Sequence, residues 1–336
     1  MKKRILYSML IAASTMVGFA SCDSFLEENP RDQITEEQAY KNSTLIYLNT
    51  VASLYTQVGG SSGGAGLQGT DRGIYDLNTF TTDEAMLPTR GGDWYDGGLW
   101  QNLFHHAWGT KNDLLKGSWD YLYKVIAQTN ASLDKLNSIL KEDPNNKVIP
   151  PYIAEVRAFR AMYYYYLLDM FARVPIVTSS KVELKDVEQS ERSAVFNFVK
   201  KELEETVEQL SDAHSNLSGE YYGRMTKPVA YLLLAKIALN SEIYADDNWT
   251  DGTKIDGKTI KFTVDGEEKN AWEATIAYCD KITALGYKLE PKFASNFSTT
   301  NENSVENIFT IPMDRNLYKN EFYYLIRSRH FSHAIA

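Results

Sequence analysis

The residues best equipped for chemistry are concentrated in one short stretch, TRGGDWYDGGLW at 89–100. Trp94, Tyr95 and Trp100 bring large apolar ring faces, and each ring carries a polar N–H or O–H handle. Arg90, Asp93, Asp96 and, just beyond, Asn102 bring donors and acceptors for a polar ligand. Gly91, Gly92, Gly97 and Gly98 let the backbone turn tightly enough to gather these groups. Trp100 is followed by Leu103, Phe104 and Trp108, a spacing that suggests an apolar face re-entering the fold. That separates Trp100, as an anchor, from Trp94 and Tyr95. The carboxylates Asp83, Glu84, Asp93 and Asp96 raise a second chemistry, since glycoside hydrolysis needs two carboxyls about 5–10 Å apart. Nearness in sequence does not set that distance.

Other matches are weaker. Gly59-Gly-Ser61-Ser-Gly63 has the form of a nucleophile elbow, but that motif needs a strand before it and a helix after it. Here a helical pattern precedes and a loop follows. Gly64-Ala-Gly66-Leu-Gln-Gly69 has the form of a dinucleotide fingerprint without the strand that a βαβ unit requires. His105 and His106 are adjacent, so they point apart on any regular element, and no third ligand stands at a telling spacing. The sequence therefore predicts no metal and no cofactor.

The N-terminus speaks to compartment. Lys2, Lys3 and Arg4 precede an apolar run from Ile5 to about Ala13, and small residues lead to Ala20-Ser21-Cys22. This is the pattern of a secretory signal over 1–21, ending like a bacterial lipobox with Cys22 as the lipidated residue. Acyl chains on one Cys would hold the protein to a membrane. The only other cysteine, Cys279, rules out an intramolecular disulfide framework if Cys22 is lipidated; its apolar-periodic surroundings predict a buried small hydrophobe. The net charge of -9 over 336 residues, with no Lys/Arg stripe, argues against nucleic acid as a partner.

The elements that must position the 89–100 stretch are read from periodicity. Residues 22–34 read as a tether. Thr35-Glu-Glu-Gln38 has the form of a capping box opening a helix to about Val58. Residues 59–69 are a flexible loop by composition, and 77–108 read as mostly irregular. Helices are predicted at 112–140, 152–172, 191–210 with Ser190 as cap, 226–244, and 271–285 closed by Gly286. Four consecutive tyrosines, Tyr163 to Tyr166, cover nearly the whole circumference of the second of these, which predicts packing on several sides. Pro175 forces an extended exit over 173–177, and a small hairpin is expected around Gly266. Helices in sequential pairs suggest a mainly α solenoid similar to tetratricopeptide repeats, although no strict period of about 34 residues is evident.

Five segments, in order, carry a resemblance: the lipobox with CDSFLEENPRDQITEEQAY, TTDEAMLPTRGGDWYDGGLWQNLFHHAW, EVRAFRAMYYYYLLDMFARVPIV, GRMTKPVAYLLLAKIALN, and NSVENIFTIP. Together they resemble the SusD/RagB family, surface glycan-binding lipoproteins of Bacteroidetes. The resemblance implies a mainly α fold of tetratricopeptide-like helix pairs over 35–336 with long ligand-binding loops. It implies a lipoprotein anchored in the outer-membrane lipid through Cys22 and exposed at the cell surface, with Asp23, Glu27 and Glu28 compatible with export. The implied partners are an oligosaccharide and a SusC-like TonB-dependent transporter that receives it; no catalysis is implied. The match to the family's binding loop points first to Trp94, then to Tyr95 and Asp96; Trp94, Tyr95 and Trp100 would supply a ring platform for the C–H face of a pyranose. Asp93, Asp96, Arg90 and Asn102 would meet its hydroxyls. The family normally continues well past the ENIF region, so this sequence is expected to lack the C-terminal part of the fold. The alternatives are a transporter lid or a protein- or peptide-interaction module, and, further off, a glycoside hydrolase.

Overall fold

The computed structural model describes residues 35–59, 66–314 and 316. The signal, Cys22, the tether with Asp23, Glu27 and Glu28, the Ser61 elbow match, the start of the second glycine motif and the end of the chain lie outside the described residues. The chain divides into two compact units, Met1–Leu45 and Ile46–Ala336.

In the first unit, α1 (Glu36–Ala39) opens on the predicted capping box: the Thr35 hydroxyl accepts from Gln38 N, and Gln38 Oε1 accepts from Thr35 N. The predicted single helix to Val58 is broken. After α2 (Ser43–Tyr47) comes a π-helical turn, Leu48–Ala52, and then α3 (Ser53–Tyr55). The Thr50 hydroxyl donates to Ile46 O, the kind of side-chain competition for carbonyls that loosens a helical ladder.

Residues 77–108 are less irregular than expected. They contain the end of α4 (Ile74–Phe80) and the whole of α5 (Leu99–Phe104). Helices this short have little intrinsic stability. Both exist because Leu77, Phe80, Trp100 and Leu103 are buried together with Leu87 and Leu114 in one apolar cluster.

The scaffold behind that cluster is a run of long helices. In α6 (Asp113–Glu142) Asn112 caps the first turn by accepting from Leu114 N and Leu115 N. After a short loop, α7 (Ile149–Phe171) starts with Pro150 and Pro151 in its first turn, where their missing N–H groups cost nothing. This helix is buried nearly all round, Tyr163 and Tyr164 completely, as the tyrosine run predicts. It packs between α6 and α8 (Arg192–Thr206). Arg157 meets Glu202 and Glu205, and Tyr164 meets Phe198, so α7 and α8 run antiparallel. The extended exit after α7 is held by its own helix: Tyr164 Oη donates to Val177 O at 3.0 Å and accepts from Val177 N at 2.7 Å. The N-cap of α8 is Glu191 rather than Ser190, whose N–H is drawn instead to Val174 O.

The second pair is α9 (Lys227–Leu239) against the last long helix. The predicted run to Tyr244 is interrupted at Asn240, after which α10 (Ser241–Tyr244) restarts. The expected hairpin is present: β1 (Lys261–Val264) pairs antiparallel with β2 (Glu267–Asn270) in the register Lys261 to Asn270. Asp265 and Gly266 both take left-handed φ, as a two-residue hairpin turn demands. Asn270 and Glu273 then form a capping box for α11 (Ala271–Ala284). Ala271, Ala274, Tyr278 and Ile282 form its buried stripe, which turns Cys279 outward: the thiol is exposed, not buried as expected. The paired helices bear out a mainly α, tetratricopeptide-like fold.

Candidate functional site

The 89–98 loop is held in an unusual backbone conformation. Arg90 and Asp93 close a tight turn through two backbone hydrogen bonds, Arg90 N to Asp93 O at 3.0 Å and Asp93 N to Arg90 O at 3.1 Å. Past the turn, Trp94 (φ 58°) and Asp96 (φ 42°) are left-handed although neither is glycine. Each such residue costs about 1–3 kcal/mol and persists only where the surroundings over-determine it. Gly97 and Gly98, at φ 65° and 84°, then allow the chain to drop straight into α5.

The surroundings that fix the loop centre on Asp96. Its Oδ2 accepts from Trp100 Nε1 at 2.7 Å and pairs with Arg72 Nη2 at 3.2 Å. The Arg72 guanidinium lies 5.9 Å from the Trp100 ring centroid, and the Arg72 backbone N–H donates to the buried carboxylate of Asp76 at 2.7 Å. Trp100 meets Phe80 edge-on at 5.4 Å, and Trp94 meets Trp100 edge-on at 6.3 Å. Thr89 Oγ1 accepts from Gln101 Nε2 at 2.7 Å, tying the start of the loop to α5.

The predicted site residues therefore separate. Trp100 is 1% exposed and sits in the core, with its N–H consumed by Asp96. Trp94 is half-buried against the same cluster, and Tyr95 is 57% exposed. Asp93 is turned inward, while Arg90, Asp96 and Asn102 face solvent. Tyr95 and Asp96 are thus exposed, Trp94 is partly so, and Trp100 is the buried anchor beneath the loop. Sequence reasoning missed Arg72. It lies beside the glycine-rich loop with no pattern around it, and only the fold carries it under Asp96.

His106 Nε2 lies 2.6 Å from Thr81 O and its ring leans on Trp108. Among the described residues no group of three or more His, Cys, Asp or Glu is arranged to hold a metal ion, and no helix is long and apolar enough to cross a membrane.

Two other concavities are lined by groups already engaged. A cavity of about 420 Å³ is bounded by Tyr47, Tyr55, Tyr222, Arg224 and Pro312. The Arg224 guanidinium lies over the rings of Tyr47 and Tyr221 and donates to both Glu155 oxygens at 3.0 and 2.6 Å. A second, of about 670 Å³, is bounded by Glu204, Glu208, Tyr231, Asp265 and Lys281. There Tyr231 donates to Glu208, and Lys281 pairs with Asp265.

Comparison with known proteins agrees with this architecture. The profile of the SusD-like family described as "Starch-binding associating with outer membrane" matches residues 61–239. A SusD-like protein of Bacteroides ovatus is 23% identical over 309 residues, covering 90% of this chain and 49% of its own. The starch-binding protein SusD of Bacteroides thetaiotaomicron is 22% identical, covering 90% of this chain and 50% of its own. Surface glycan-binding protein A of Bacteroides thetaiotaomicron, solved in complex with laminarihexaose, superposes with a TM-score of 0.58 at 19% identity, over 80% of this chain and 49% of that one. The chain thus spans about half the length of the curated relatives it matches. With its helix pairs, its anchored aromatic loop and a profile match over more than half its length, the chain belongs to the SusD-like family.

Proposed function

We propose that the chain captures oligosaccharide at the cell surface through the 89–98 loop and passes it to a SusC-like TonB-dependent transporter, without catalysing its cleavage. The observation that carries this reading is an exposed Tyr95 beside a half-buried Trp94 on a strained loop that the Asp96–Trp100–Arg72 cluster holds. A pyranose offers C–H bonds on one face and hydroxyls at its rim. Tyr95 and the outer side of Trp94 cover the face; Asp96, Arg90 and Asn102 serve the rim. Rigid rings lose little entropy on binding, which favours such a platform over flexible side chains.

A hydrolytic role has less support. Within the 89–98 loop Asp93 faces inward and Asp96 alone of its carboxylates is exposed, while the exposed Asp83 and Glu84 lie outside the loop. The lipobox supports lipidation at Cys22, and the family's description, which names association with the outer membrane, supports residence there.

A single ring platform gives modest affinity, on the order of 10 μM to 1 mM, or about -4 to -7 kcal/mol. Calorimetric titration with maltohexaose and laminarihexaose tests the site. Tyr95→Ala should weaken binding at least about ten-fold with an unchanged melting temperature, because an exposed ring contributes nothing to the core. Unaltered affinity in both Tyr95→Ala and Trp94→Ala would remove the loop from the binding site. Co-purification of the transporter with the tagged chain from detergent-solubilised outer membrane tests delivery, and its failure would confine the protein to capture.

A further inference from the structure

A second aromatic ring is mounted on the same end of the scaffold. Trp249 is 60% exposed, yet it is not loose. Two guanidinium groups from different elements lie over its ring, Arg173 at 5.8 Å and Arg192 at 5.1 Å from the centroid. Each is itself secured: Arg173 Nη2 donates to Asp247 O at 2.6 Å, and Arg192 Nη1 donates to Ile243 O at 3.0 Å. Asp247 ties the loop to the start of α8 by accepting from Ser193 N and Oγ at 2.8 and 2.7 Å. Within the loop, Asn248 N donates to Asp246, and Thr250 Oγ1 donates to Asn248 Oδ1. A ring that only needed to avoid water would be tucked under; this one is braced in the open.

Its position relates it to the first platform. Arg173 follows α7 by way of Ala172, a non-glycine residue at φ 59°, with Arg173 N donating to Phe171 O at 2.7 Å. This is the rare, strained form of the three-residue turn, and it carries Arg173 from the helix to Trp249. The two residues at the other side of that turn, Met170 and Phe171, pack against the cluster that holds Trp94 and Trp100. Both exposed ring mounts therefore stand around the C-terminal end of α7.

We infer that Trp249 is a second pyranose platform, contacting a sugar unit further along the same oligosaccharide that the 89–98 loop holds. Asn248, Thr250 and Asp251, which flank Trp249 in sequence and are tied by Asn248 Nδ2 donating to Asp251 Oδ2 and Thr253 N donating to Asp251 Oδ1, supply hydroxyl partners with their remaining polar groups. The inference rests on the glycan-binding reading above. Two subsites on one ligand act through effective concentration, so the second raises affinity only for chains long enough to reach it.

The full chain is titrated with trisaccharides, hexasaccharides and octasaccharides of the starch and laminarin types. The expected result is a wild-type affinity that rises with length. Trp249→Ala should lose that rise, by about ten-fold or more on the longest chain, while trisaccharide binding and melting temperature stay as they are. Trp249→Tyr should restore most of it. Tyr95→Ala should weaken every length. If Tyr95→Ala is impaired and Trp249→Ala matches wild type on the octasaccharide, the second platform is wrong and the first stands. A wild-type chain that binds none of these glycans overturns both. Loss of transporter co-purification in Trp249→Ala, with glycan binding intact, overturns the assignment in favour of a protein contact.

Discussion

Asp96 shows how much one side chain holds. It stands at φ 42° with an oxygen shared between the Trp100 indole N–H and the Arg72 guanidinium. Removing that carboxylate leaves a buried indole donor without its acceptor, a cost of about 1–3 kcal/mol, and frees the strained backbone that presents Trp94. Asp96→Ala should therefore lower stability by that amount in urea unfolding and weaken oligosaccharide binding as well. Asp96→Asn, which keeps an acceptor oxygen, should recover most of the stability; a binding loss with no stability change in the alanine variant would show that the carboxylate serves only the ligand. Residue types were readable here, but their roles were only partly so. Leu103 three positions after Trp100 betrayed an inward face. The inward turn of Asp93 follows from a two-bond backbone turn, and Arg72 arrives from a separate segment, so neither leaves a periodic trace.

At the scale of elements, α7 is the member on which the others depend, and its charges are buried with it. Glu155 receives two hydrogen bonds from Arg224 and one from Tyr55, whose hydroxyl in turn accepts from Met225 N. This cluster fastens the 48–58 segment and the entry to α9 onto α7. A buried pair gives little net stability against apolar replacements of similar volume, but losing one partner strands the other, at about 3–5 kcal/mol. Arg224→Met should cost that much in urea unfolding, and Glu155→Leu combined with Arg224→Met should cost clearly less than Arg224→Met alone. A double variant no better than the single one would mean that the charge is not what hurts. Long helices were legible because burial on a repeating stripe leaves a repeating pattern, as in α6. The elements that sequence reading missed or misdrew are those decided by packing or local competition. α4 and α5 are too short to declare themselves, the π-turn coincides with a hydroxyl that bonds a carbonyl of the preceding turn, and the outward thiol of Cys279 follows from which face of α11 meets its neighbour.

Across the whole molecule the tyrosines set the limits of pH. Of the 22 in the chain, many are buried with their hydroxyls satisfied by neutral or acidic partners. Burial pushes Tyr164 and Tyr287 up to about 12. It raises Tyr123, Tyr165, Tyr231, Tyr244 and Tyr278 as well, with Glu208 adding to it at Tyr231 and Asp169 at Tyr244. In the unfolded chain these groups ionise near 10, so above that pH the unfolded state sheds protons that the fold retains. Their contribution is complete below pH 10 and is lost as pH rises toward the folded values. The acid side is weaker. The hydrogen bond from Arg157 lowers Glu205 from its ordinary value, and at Asp134 the hydrogen bonds from Ser180 and Ser179 outweigh the opposing effect of burial. That support is lost as pH falls through the depressed values; Glu204, raised by burial, acts in the opposite sense. The melting temperature should therefore be nearly flat between about pH 5 and pH 9, fall gently in acid, and fall steeply above about pH 10. Following tyrosinate absorbance and helical circular dichroism together across the alkaline limb is the decisive measurement. The buried set should ionise only as the helical signal collapses. Smooth ionisation of all the tyrosines with the helices intact would mean that the Tyr163–Tyr166 run is not the packed centre of the fold.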